Sequence, residues 1–137
     1  MQIERKIKKR EPIFNDIPIG VLSLGGIILL IEVIIQIFGS EFRSLFLIYF
    51  GFFPSNIMFL TEDLFFGQKY LMFITYSLIH GSFFHMALNL CILLALGKKL
   101  GKHLSHIKIW ILFFSTASFG AFFYILIFPN QQIPMVG

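Results

Sequence analysis

Within residues 80–89, HGSFFHMALN, four side chains can donate or accept hydrogen bonds: His80, Ser82, His85 and Asn89. If this stretch is helical, His85 and Asn89 lie one turn apart, about 40° around and about 6 Å along the axis, on a shared face. An imidazole N–H and a carboxamide N–H aimed from one stripe are the kind of donors that hold a developing oxyanion. The same spacing also serves a plainer purpose, because polar side chains tie one membrane helix to another. His80 precedes the helix, where most histidines bond loop backbone groups. Metal chelation is the rival use for clustered histidines. However, His80 and His85 would stand about 140° apart on a continuous helix, and no HExxH pattern occurs to supply two ligands and a base. His103 and His106 have helical spacing but sit among lysines, without an acidic or thiol partner. No metal and no cofactor are assigned.

The elements that must carry these groups belong to a membrane. Apolar residues make up 57% of the 137 residues, 19 of them Phe, and charged residues only 13%, against about a quarter in soluble domains. The charges are bunched, and the bilayer is the solvent that fits. A basic balance on so apolar a chain points to lipid headgroups rather than nucleic acid. Cys91 is the single cysteine and lies in an apolar run, so its default role is packing.

The first apolar run, Ile17 to Phe38, has 22 residues, too long for the roughly 7–15 of a signal-peptide core. At 1.5 Å per residue it spans about 33 Å, enough for a hydrocarbon layer of roughly 30 Å, so it reads as a retained anchor. Gly20, Gly25 and Gly26 allow another helix close. Glu32 is anomalous there. It either snorkels to the outer interface or faces a neighbouring helix or cavity. Residues 39–81 make a long connection with aromatic patches too short to span, suited to interfacial or re-entrant segments. The uncharged run from Leu71 to Leu96 exceeds one span, and His80-Gly81-Ser82 breaks it, Ser82 being a good helix cap. The second span is expected at about 82–100 and the third at about 109–128, ended by Pro129-Asn130. The whole is therefore an all-α membrane protein with three transmembrane helices, a basic tail over 1–16 and a membrane-associated loop.

Lys and Arg set the orientation. The tail carries five and the connector after the second span four, against two in the loop 39–81. Three spans put the tail and the connector on one side, so the N-terminus is expected in the cytoplasm.

The stretch LMFITYSLIHGSFFHMALNLCILLALGKKLGK, followed by an aromatic third helix with a glycine and then IPMVG, resembles the first half of a rhomboid intramembrane serine protease. The resemblance covers roughly residues 15 to 137 and implies the first half of a six-helix bundle over 17–137. In that family a His-x-x-x-Asn pair near the start of the second helix lines the catalytic cavity, and His85 and Asn89 match it. Thr75, His80 and Gly81 resemble the family's approach to that helix. The resemblance implies oxyanion stabilisation by His85 and Asn89, support from His80 in the loop, and transmembrane protein substrates cleaved near the outer interface. Gly137 matches the first glycine of the family's Gly-x-Ser-Gly motif. The nucleophilic serine and the general-base histidine of the sixth helix are absent from these 137 residues, so the chain alone is expected to be inactive. Ser115 and Ser118 lack that motif, and packing or helical back-bonding explains them. The chain also departs from the family in lacking a Trp-Arg pair in the first loop, near Leu71-Met72, and an acidic residue around GKKLG. A non-catalytic membrane protein acting through helix–helix binding or assembly is the alternative reading. Half of a small transporter is a third, resting on Glu32 and the intramembrane polar groups.

Overall fold

A computed structural model of the chain describes residues 17–58 and 63–137. The basic tail, 1–16, and Glu62 lie outside the described residues. Among the described residues, three helices are long and apolar enough to cross a membrane. They are α1 (Ile19–Phe50), α4 (Phe83–Leu100) and α5 (His106–Ile127), with the short α2 (Pro54–Met58), α3 (Gln68–Thr75) and a 3₁₀ turn (Tyr76–Leu78) between the first two. The protein is an all-α integral membrane protein. Among the described residues β-pairing is limited to one antiparallel bridge between Phe52 and Met135.

α1 differs from the expected first span. It continues for twelve residues past Phe38, to Phe50, so part of the expected interfacial loop is helix. Its 32 residues would make a rod of about 48 Å if straight, well beyond the hydrocarbon thickness. The rod is broken at Gly39, whose φ of 87° and ψ of −171° lie where side chains other than glycine's are strained. Residues 19–38 form the spanning part and residues 40–50 an arm that leaves at an angle. Phe38, at the end of the spanning part, and Phe42, Phe46 and Phe50 of the arm form a row of tilted rings with centroids 4.9, 4.9 and 5.2 Å apart. The last carbonyls of a helix lack partners. Here the Gln68 amide donates to the carbonyls of Ile48 and Tyr49, both at 3.2 Å, and the Thr75 hydroxyl donates to that of Phe50 at 2.8 Å. The loop thus caps the arm.

α4 begins where the polar break places it. The Ser82 hydroxyl accepts a hydrogen bond from the His85 amide at 3.2 Å, an N-cap contact. α5 starts at His106, three residues before the expected boundary. Two apolar cores hold the elements. Leu24, Ile28 and Met86 join α1 to α4, with Trp110 and Phe113 of α5 against them. Phe52, Met72, Tyr76, Ala117, Ala121 and Ile125 join the loop to α5. The buried Tyr76 hydroxyl donates to the Ala117 carbonyl at 2.8 Å, tying the 3₁₀ turn to mid-α5. α1 and α4 approach closely at Gly97, where a Cβ would fall 2.5 and 2.6 Å from the two methyl groups of Val21. Gly20 and Gly25 also sit in contacts, whereas Gly26 faces open space.

Candidate functional site

His80 and His85 meet edge to face, with ring centroids 5.4 Å apart and planes at 82°. They come from different elements: His85 from the first turn of α4, His80 from the strand-like residues that link the 3₁₀ turn to it. The Ser82 cap brings them together, because it turns the chain sharply before the helix begins. His80 is 3% exposed, while His85 is exposed. Asn89, one turn further along α4, is half-buried.

Asn89 and His80 line the same cavity, of about 610 Å³, which α1, α4, α5 and the segment 135–137 enclose. Its wall is mostly aliphatic, with Leu24, Ile28 and Leu93 prominent, and Ser77 adds a further polar group. Of the three residues picked out from the sequence, His80 and Asn89 therefore line one cavity, whereas His85 is not among its lining residues and stands against His80 from the exposed side. Ser115 and Ser118 are elsewhere, on an open groove with Phe73, Phe114, Phe119 and Phe122.

The segment 135–137 closes one side of the cavity. Phe52 and Met135 exchange backbone hydrogen bonds of 3.1 and 2.9 Å. The Gly137 amide donates to the carbonyls of Tyr76 and Ile79, at 2.8 and 3.0 Å. These bonds hold the backbone of Gly137 beside the residue that precedes His80.

Burial drives the electrostatics of His80. It disfavours the imidazolium, the adjacent His85 adds to this, and the pKa falls from 6.5 to about 4 despite the attraction of Glu32. Neutral His80 keeps one ring nitrogen free to accept, and its Nδ1 is buried without a hydrogen-bond partner among the described residues.

Sequence reasoning missed the groups behind this pair. Glu32 does not snorkel. It is 2% exposed, and Arg43 grips it with Nη2–Oε1 at 2.6 Å and Nη1–Oε2 at 3.1 Å. Gln36 donates a third hydrogen bond, at 3.0 Å. The same Arg43 Nη1 donates to the His80 carbonyl at 2.7 Å. The signal in the sequence was Glu32 itself, a carboxylate in an apolar span that needs a cation. Gln68 was missed too. It is 4% exposed, and besides capping the arm its side-chain oxygen accepts from the Leu64 amide at 2.8 Å.

Comparison with family models matches residues 67–137 to one described as Rhomboid domain, which is 71 of the 137 residues and so more than half of the chain. No match is found among curated proteins or among solved structures.

Proposed function

The chain belongs to the rhomboid family of intramembrane serine proteases, and from that premise we propose that residues 17–137 carry the oxyanion-binding side of an endopeptidase centre that cleaves single-span membrane proteins near the outer interface. His85 and Asn89 donate to the tetrahedral oxyanion, and His80 supports His85 from the loop. Two donors held before the reaction begins stabilise charge that appears only in the transition state, at no cost in reorganisation. The observation that supports this reading is that His80 and Asn89 line the same cavity, with the His85 ring set edge-on to His80. The arm and loop over 40–81 shape the approach of substrate and limit water.

No Gly-x-Ser-Gly motif occurs in these 137 residues, so residues 1–137 alone are expected not to turn over substrate. In a bacterial cell the protein resides in the cell membrane with its N-terminus in the cytoplasm. The test is a tagged single-span substrate in liposomes, with residues 1–137 alone and with the same residues inside an uninterrupted six-helix reading frame. Turnover is expected in the second case only. His85→Ala or Asn89→Ala is expected to lower kcat there by about 10²–10³ with KM little changed. Serine-dependent cleavage by 1–137 alone, or full activity in both substituted enzymes, refutes the proposal.

A further inference from the structure

We infer that Arg43 is a positioning residue for the His80–His85 pair: locked by Glu32 across the Gly39 bend, its guanidinium holds the His80 carbonyl and so fixes the ring that stands against His85. The catalytic meaning of this rests on the reading of His85 as an oxyanion donor, while the contact itself does not.

Three observations carry it. The first is the path of the chain. On a straight helix Glu32 and Arg43 would be about 16 Å apart along the axis, beyond the reach of the two side chains, yet they form a two-point contact. The bend at Gly39 makes that possible. The second is the use of donors. Neutralising Glu32 takes the guanidinium's two-point grip, and Gln36 adds another bond. Arg43 nevertheless points Nη1 also at a carbonyl 37 residues away, and that bond is short, at 2.7 Å. A planar fork with several fixed N–H directions can hold a carboxylate and a carbonyl together, whereas a lysine ammonium is a single point on a flexible stem. The third is the state of His80. Its Nδ1 has no hydrogen-bond partner among the described residues, so that nitrogen does nothing to orient the ring. Besides a hydrogen bond to the Leu78 backbone, the ring is held through its own backbone, which the guanidinium grips, and through its contact with His85.

The bland alternative is that Arg43 serves only to neutralise a buried carboxylate. The two differ for Arg43→Lys, which keeps the charge beside Glu32 but cannot make the full set of bonds. The experiment uses residues 1–137 in detergent micelles, with ¹⁵N,¹³C-labelled histidine and diethyl pyrocarbonate as a probe of imidazole access. In the unsubstituted protein His80 should be protected, and His85 should show the ring-current shift of an edge-on neighbour. With Arg43→Lys, thermal stability should stay near that of the parent. His80 modification should nonetheless accelerate by about tenfold or more, and the His85 ring signals should move towards those of a free imidazole. Unchanged protection and unchanged ring signals in a folded Arg43→Lys protein overturn the inference.

If Arg43→Lys fails to fold, Glu32→Gln with Arg43→Gln removes both charges and leaves no unpaired ion. In that folded double variant, lost protection supports the inference and retained protection overturns it. Asn89→Ala serves as the control and should leave His80 protected. Failure of the oxyanion reading would appear in turnover of the uninterrupted enzyme with these histidine signals intact, so the two ideas can fail separately.

Discussion

His80 shows what a single side chain can contribute when it is buried next to another of its kind. Its pKa is lowered to about 4, chiefly by burial and then by His85. An unfolded histidine titrates near 6.5, so between these values the unfolded chain binds a proton that the folded protein refuses. Stability is then fully present above pH about 6.5 and is lost as pH falls towards about 4. Thermal unfolding in micelles should show the midpoint falling as pH is lowered through that window. His80→Gln, which cannot titrate, should flatten the fall, and an equal fall in both proteins would count against it. That His85 and Asn89 lie one turn apart on a helix was legible from their four-residue spacing, because a helix needs no tertiary knowledge to place such a pair. The edge-on meeting of His80 and His85 was not. It depends on the chain turning through Gly81 and Ser82, and helix periodicity does not describe that path.

At the scale of the elements, the bend in α1 depends on Gly39, and the close approach of α1 and α4 is tightest at Gly97, with Gly25 also against Leu90. At Gly39 nothing lies within 4 Å of a Cβ position, so the cost of a substitution is in the backbone and not in crowding. Gly39→Ala should therefore destabilise the fold by about 1–3 kcal/mol and loosen the Glu32–Arg43 contact, which is read by unfolding in micelles and by exposure of His80. Gly97 is the opposite case, with ordinary backbone and no room. Gly97→Ala drives a methyl into the buried Val21, an overpacking that typically costs about 1–3 kcal/mol. Val21→Ala in the same chain should recover most of that loss. Recovery is the informative result, since a loss due to helix propensity would have the other sign, alanine being the better helix former.

The spans were readable from uninterrupted apolar length, and Ser82 from its chemistry as a cap. The continuation of α1 to Phe50 was not, because Gly39, Ser40, Glu41 and Arg43 resemble the polar end of a span. Arg43 and Glu32 are eleven residues apart, a separation that brings no contact on a straight helix, so the pairing is hidden until the bend is known.

Across the whole molecule, apolar side chains face outwards on all three long helices, among them Ile37, Leu88, Ile92, Phe119 and Leu126. That surface is suited to acyl chains. The charges left outside are sorted by position, with Lys98, Lys99 and Lys102 at one end of α4. From this we expect reporters fused at the N-terminus and within residues 101–105 to mark the cytoplasmic side, and one placed at 63–66 to mark the opposite side. A reporter at 101–105 that marks the outer side would reverse the assigned topology.

The salt bridge in α1 also bears on how the chain enters the bilayer during synthesis. An unpaired carboxylate in mid-span costs about 2.5–3.5 kcal/mol at insertion, and the partner that offsets it is only eleven residues behind. Both groups leave the ribosome close together, well before the second span exists. Glu32 can thus enter lipid already neutralised by its own segment, and the first helix need not wait for a later one to shelter its charge.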